Sequence, residues 1–270
     1  MRRASLLCLI AVAACAQPSA IPEPLSDPQR FAIEKIRQRG LQYVRELPNF
    51  VCTQVTVRNV GSSGATQKWK PLDTIEEDLN YFDHRETYKV LSINGRPAPK
   101  AAHTSLGNLG STGEFGSLLR RIFEPESRAE LKWVGLDTLK DRPVQVLSYR
   151  VPRESSMWTL ARDRHRTVVG YHGMIFADAA TDAALRVTVI NDIPADFPID
   201  DARMEIDYDF ISISGKKYLL PVQSVNQVRL GRSLFQNTIR FSKYRKFTAD
   251  TEITFDFPPE GPPPAPPKKN

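Results

Sequence analysis

PVQVLSYRV (143–151), MWTLA (157–161), TVVGYHGMIFADAATDAALRVTVI (167–190), MEIDYDFISISGKKYLLPVQSVNQVRL (204–230), NTIRFSKYRKF (237–247) and TEITFDF (251–257) follow one another along the second half of the chain. Apolar and polar residues alternate in short runs, and turn residues separate the runs. A period of two marks half-buried antiparallel strands. Six or seven strands in one meander are expected, with no helical periodicity between them. Asp178–Asp182 and Ser214–Lys217 read as turns, and 194–201 as a longer polar connection. The side-chain phase slips at Phe210–Ile211, where a bulge is expected to bend the sheet.

Upstream, Asn49–Val60, Lys68–Phe82 and Glu86–Ile93 read as further strands, and Asn94-Gly95 as a tight hairpin turn. Two helices stand out. Gln29–Leu47 places Ile33, Ile36, Leu41, Val44 and Leu47 on one face, with Asp27 as the expected cap, Pro28 in the first turn and Pro48 as the stop. The second runs from Gly113 to Phe123. Ser111 and Glu114 form a capping box, and Phe115, Leu118, Leu119 and Ile122 or Phe123 supply the apolar face. The fold class is therefore α+β, mainly β: a large curved antiparallel sheet, a half-open barrel, whose concave face is covered by two or so helices. This domain spans 29–257.

The ends of the chain differ in kind. Arg2 and Arg3 precede an uncharged apolar run, Ala4–Ala14, too short for the ~20 residues of a membrane-spanning helix. Residues 1–15 read as a secretory signal. Its end can be cut in two ways. Val12-Ala13-Ala14-Cys15 resembles a bacterial lipobox, which makes Cys15 a diacylated lipid anchor. Ala14-Cys15-Ala16 resembles an ordinary signal-peptidase site. Under the lipobox reading, Ala16 after the cysteine favours outer-membrane retention. Residues 16–28 hold four prolines and read as a tether. The last 13 residues hold seven of the chain's 21 prolines, and 258–270 read as a solvated polyproline tail.

Charge excludes some functions. The net charge of +6 falls to +4 once Arg2 and Arg3 are removed, too weak a bias to point to nucleic acid. Of three cysteines only Cys52 lies in the domain, where apolar neighbours make it a small buried hydrophobe. The sequence carries no G-x-S-x-G, H-E-x-x-H, C-x-x-C or phosphate-binding loop. His84, His103, His165 and His172 are scattered. No catalytic residue, metal site or cofactor is expected. Two charge clusters read as solvated faces. Arg150, Arg153, Arg162, Arg164 and Arg166 gather around one strand connection, where they can also meet lipid headgroups or another anionic partner. Asp196, Asp200, Asp201, Glu205, Asp207 and Asp209 gather on the next one. Trp69, Trp133 and Trp158 fall in expected strands. With Phe115, Leu118, Leu119 and Phe123 they either complete the core or line an apolar pocket.

Phe176-Ala-Asp178, Thr181, Leu185-Arg186-Val187, Ile206-Asp-Tyr208, Tyr218-Leu-Leu-Pro221 and Phe241…Tyr244-Arg245-Lys246-Phe247 together resemble the strand pattern of the Lol-type periplasmic lipoprotein carrier superfamily. The resemblance covers about the last half of the chain. It implies a half-open antiparallel barrel capped by helices, a periplasmic location, and binding of a lipid or acyl group. Leu47–Thr53 and Gly113–Leu119 are also similar to uncharacterised secreted proteins of environmental bacteria. The resulting expectation is a non-enzymatic, lipid-anchored envelope protein that holds an apolar ligand between sheet and helices. The alternative is a scaffold or interaction module whose concavity is filled by its own side chains.

Overall fold

The structure is a computed structural model, and it describes residues 26–62, 68–83, 85–98, 115 and 117–247. The signal and Cys15, residues 16–25 of the expected tether, the glycine-rich run with Ser111 and Glu114, the segment TEITFDF and the proline tail lie outside the described residues, while Asp27 and Pro28, expected at the end of the tether, open the first helix.

The chain begins with helix α1 (Asp27–Glu46). Strands β1 (Phe50–Ser62), β2 (Lys70–Phe82), β3 (Arg85–Ile93) and β4 (Arg96–Pro97) come next. Helix α2 (Ser117–Phe123) separates them from β5 (Glu130–Leu139) and β6 (Arg142–Val151). There follow β7 (Thr159–Arg162), β8 (His165–Val168), β9 (Gly170–Asp178), β10 (Ala184–Asp192), β11 (Asp201–Ile213), β12 (Lys216–Leu230) and β13 (Ser233–Lys246). Eleven strands form one antiparallel sheet in the order β4-β3-β2-β1-β13-β12-β11-β10-β9-β6-β5. The sheet does not close into a barrel, and the fold is mainly β with two helices among the described residues.

β1 and β13, far apart in sequence, pair in the middle of the sheet. Each half then unrolls outward by hairpins. Asn94-Gly95 and Ser214-Gly215 carry positive φ at both positions (51° and 73°, 51° and 81°), as a type I′ turn requires.

One transverse row shows how register builds the core. Leu147, Ile175, Val187, Ile206, Ser224, Ile239, Thr56 and Ile75 are successive cross-strand partners from β6 to β2. Directly paired residues share a face, so one side of the sheet receives the whole row. All eight are buried. Each aliphatic side chain so buried contributes roughly 1.5–3 kcal/mol.

The helices close the same side. In α1, Ile36, Tyr43 and the following Leu47 are buried, and the Tyr43 ring meets the Tyr208 ring edge-on at 6.0 Å. α2 has seven residues, too few to be stable alone. It is held because Leu118, Leu119, Ile122 and Phe123 are all buried. Gly40 of α1 makes the crossing possible: a Cβ there would stand 2.4 Å from the Phe123 ring. Arg37 Nε donates to the Phe123 carbonyl at 2.9 Å, which satisfies one of the open carbonyls at the end of α2. Lys35 reaches Asp182 in the β9–β10 turn at 2.9 Å.

Several details differ from the sequence reading. Ser26, not Asp27, caps α1, and its backbone N–H donates to Gln29 Oε1 at 2.9 Å. The run 157–169 does not supply two more strands of the meander. β7 and β8 pair only with each other, while β6 pairs directly with β9. Trp69 and Trp158 each stand one residue before a strand. The register break in β11 lies between Asp207 and Tyr208, not at Phe210–Ile211. Asp207 opposes Gln223 and Tyr208 opposes Pro221, so Val222 of β12 is the extra residue. Proline cannot donate to the ladder and is confined to edges and bulges, so Pro221 selects the site. The Tyr244 hydroxyl donates to the Pro221 carbonyl at 2.5 Å.

Asp207 is the clearest departure. Alternation assigns it to solvent with Glu205 and Asp209, yet it is 3% exposed. Arg186 grips it from β10 at 2.6 and 2.9 Å. Lys140, in the β5–β6 turn, closes over it at 2.8 Å. Burial pushes the Asp207 carboxyl up, but the hydrogen bonds from Arg186 and Lys140 outweigh it and hold the carboxyl below its ordinary value.

Candidate functional site

A cleft of about 450 Å³ opens where the end of α1, the start of α2 and the β2–β3 hairpin meet. Val44, Tyr81, Tyr88 and Phe115 give it an apolar wall. Arg85, Glu86, Arg120 and Arg121 give it a charged one, with Thr87 and Ser117 between.

The sequence explains both walls. Alternation along β2 turns Leu79 and Tyr81 toward the helices. Across the ladder Tyr81 opposes Glu86, and Leu79 opposes Tyr88. Tyr81 stacks on Phe50 at 5.1 Å with 12° between the planes. Phe115 packs on Phe50 at 5.3 Å and stands edge-on to Phe241 at 5.1 Å. This aromatic layer fixes the apolar wall. The charged wall follows from the helical period of α2, which turns Leu118, Leu119, Ile122 and Phe123 inward and leaves Arg120 and Arg121 beside the opening.

Electrostatics favour an anion at the opening. Three guanidinium groups face one carboxylate. Glu86 already accepts a 2.6 Å hydrogen bond from the Tyr88 hydroxyl, and among the described residues the Arg120 guanidinium has an exposed contact with Glu124 at 3.7 Å. Arginine presents a planar fork that matches carboxylate and phosphate oxygens. Burial, with help from Glu86, pushes the Tyr81 phenol up to about 12, against the opposing pull of Arg120. Tyr81 is therefore a neutral hydrogen-bonding group at the cleft, not a proton donor at neutral pH. Behind it, the Tyr43 hydroxyl is buried with no hydrogen-bond partner among the described residues. Burial also raises the Tyr43 phenol well above its ordinary value.

The residues singled out in the sequence fall in three places. Phe115 lines the cleft. Leu118, Leu119 and Phe123 lie beside it but are 0–1% exposed, so they fill the space under the helices instead of bordering an opening. The tryptophans are dispersed. Trp133 packs half-buried against the core from edge strand β5, Trp158 packs on Tyr171 at 5.4 Å, and Trp69 lies against Gly61. Every other residue of the cleft, from Val44 and Tyr81 to Arg120 and Arg121, was missed by the sequence reading. The available signal was the hairpin around Asp83, which carries Tyr81 on one arm and Arg85, Glu86 and Tyr88 on the other.

Elsewhere, His172 Nδ1 lies 2.9 Å from Asp192, which Arg150 also holds at 2.8 Å. No group of three or more metal-binding side chains occurs among the described residues. A second, smaller hollow of about 70 Å³ lies between Arg39, Tyr43, Glu46 and the β11–β12 turn.

No family model and no curated protein matches the chain. Solved structures do. A DUF1329 family protein from Desulfovibrio piger is similar at 13% identity and a TM-score of 0.43, over 85% of this chain and 96% of its own. A putative outer membrane lipoprotein-sorting protein domain from Vibrio parahaemolyticus is similar at 10% identity and a TM-score of 0.41, over 81% and 94%. The chain is likewise similar to a LolA superfamily protein from Nitrosomonas europaea, at 9% identity and a TM-score of 0.33, over 82% and 94%.

Proposed function

We propose that this is a non-enzymatic protein of the bacterial envelope that binds a single-chain anionic amphiphile, such as a fatty acid or lysophospholipid, in the cleft between α1, α2 and the β2–β3 hairpin. The observation that carries the reading is the two-sided lining. Val44, Tyr81, Tyr88 and Phe115 offer apolar contact, while Arg85, Arg120 and Arg121 stand at the opening. At about 450 Å³, the cleft lies at the smaller end of ligand sites, roughly 300–1,000 Å³. A wholly apolar ligand would make no use of the charged wall. A ligand with a carboxylate or phosphate at one end uses both walls. The compartment rests on the leader-like residues 1–15, with Cys15 as the proposed anchor.

A second reading has its own support. Leu118, Leu119, Ile122 and Phe123 fill the space beneath the helices, as in a scaffold whose concavity is closed by its own side chains. Native mass spectrometry of the full chain, followed by organic extraction, separates the two. The ligand reading expects a co-purifying acyl mass, or uptake of added palmitate, that is lost in Tyr88→Ala and Arg120→Glu while the fold persists. A clean apo mass with no uptake favours the scaffold.

A further inference from the structure

The β7–β8 hairpin has no part in the cleft, and the main sheet does not need it for pairing. Its two sides differ. Cross-strand partners share a face, so Leu160–Thr167 and Arg162–His165 lie on one side, and Thr159–Val168 and Ala161–Arg166 on the other. The first side meets the body of the protein, where Arg162 Nη1 donates to the Pro198 carbonyl at 2.7 Å. The second side looks outward. Ala161 and Arg166 are exposed, Val168 is 38% exposed, and Met157 just before the hairpin is 75% exposed. The two-residue turn adds Asp163 and Arg164 at the tip, and His165 follows, all exposed.

The root is rigid. The Trp158 ring packs on Tyr171, Val169 N–H donates to the Trp158 carbonyl at 3.0 Å, and Ser155 Oγ bonds the Ser127 carbonyl at 2.5 Å. The outward side therefore pairs an apolar strip of Met157, Ala161 and Val168 with a basic tip. Asp163 is within 3.8 Å of Arg162. Arg164 and Arg166 have no ion pair among the described residues. Arg153, exposed just before the hairpin, donates to Thr167 Oγ1 on the other side at 3.4 Å. Glu154 is the remaining carboxylate of the segment.

We propose that this hairpin, with Met157 at its root, docks the protein on the surface of an anionic lipid bilayer. Charge complementarity selects that occupant: basic side chains meet acidic headgroups, while Met157 and Val168 enter the headgroup boundary. A neutral bilayer offers no counter-charge, and a nucleic acid offers no use for the apolar strip. The proposal is independent of what the cleft binds.

The test is vesicle co-sedimentation of the full chain expressed with its own leader and carrying Cys15→Ala, which removes any acyl anchor. Vesicles of phosphatidylcholine alone are compared with vesicles containing 30% phosphatidylglycerol, a proportion of about one anionic lipid in three chosen to give a negative surface potential. Binding is expected only to the anionic vesicles, and should weaken as salt shortens the screening length. Arg164→Glu with Arg166→Glu should weaken it at least about tenfold, Met157→Ser should weaken it less, and the double Arg→Lys variant should retain it. Circular dichroism checks that the variants fold. Equal binding to neutral vesicles overturns the proposal, as does unaltered binding by the double Arg→Glu variant, or duplex DNA binding without vesicle binding. Palmitate binding by the Tyr88→Ala and Arg120→Glu variants equal to that of wild type would count against the cleft and leave the docking result untouched, so the two failures are distinguishable.

Discussion

Arg186 holds Asp207 in a two-pronged grip, Nε to Oδ1 at 2.6 Å and Nη2 to Oδ2 at 2.9 Å, across adjacent strands of the sheet. Lys140 adds a third bond from the β5–β6 turn, so one buried carboxylate ties that turn to β10 and β11. Asp207→Asn leaves two cations facing a neutral amide. Breaking a buried pair costs about 3–5 kcal/mol, and partial solvation of Arg186 and Lys140 reduces this to roughly 2–3 kcal/mol. The folded-state value of Asp207 lies below its ordinary one. Its stabilisation is therefore complete above the unfolded value, near pH 4, and is lost as pH falls through the folded value. Urea midpoints between pH 2 and 6 check this. Wild type should lose stability below about pH 4, and the variant should show a flatter profile in that window.

The crossing of α1 and α2 depends on Gly40. A Cβ at 2.4 Å from the Phe123 ring must displace that ring, which is wholly buried. Gly40→Ala is expected to destabilise by about 1–3 kcal/mol, the usual penalty of overpacking, despite alanine's better helix propensity. Thermal melts of Gly40→Ala, Phe123→Leu and the double variant form a cycle. The double variant should be more stable than the sum of the single losses predicts.

Tyr43 presents the opposite case. Its hydroxyl is buried without a partner among the described residues, and a buried orphan polar group costs about 1–3 kcal/mol. Tyr43→Phe keeps the edge-on contact with Tyr208 and removes the orphan. A melting temperature equal to or above wild type is the expected result.

Cys52 is fully buried in β1. Burial pushes its thiol up to about 12, so at pH 8 it is almost wholly protonated, and the thiol form is a poor nucleophile. An aromatic disulfide reagent should leave Cys52 unmodified in the folded protein and label it on unfolding in urea. Labelling under native conditions at the rate of a free thiol would contradict its placement.

Period-two alternation made the mainly β sheet and most of its turns legible, because every strand from β9 to β13 has one buried side. It failed where a tertiary partner changed the meaning of a position. Asp207 obeys the polar phase, yet Lys140, 67 residues upstream, closes over it, and no local signal carries that contact. The β7–β8 run alternates like its neighbours, and only the pairing of β6 with β9 shows that it leaves the sheet. For the site, apolar character alone was a poor guide. Leu118 and Leu119 are apolar because they are core. The cleft is instead built from Tyr81, Tyr88 and arginines whose proximity depends on a helix lying against a distant hairpin.

Calorimetric titration of lysophosphatidylglycerol, below its micelle concentration, into the full chain decides whether the cleft takes an anionic amphiphile. The cleft account predicts saturable one-to-one binding. Arg120→Glu with Arg121→Glu should weaken it by about tenfold or more, as the loss of charge-assisted hydrogen bonds of ~1.5–3 kcal/mol each implies. Tyr88→Ala should weaken it without changing its salt dependence. Absence of saturable binding by a folded wild-type protein, or binding indifferent to all three substitutions, would rule the cleft out as the ligand site.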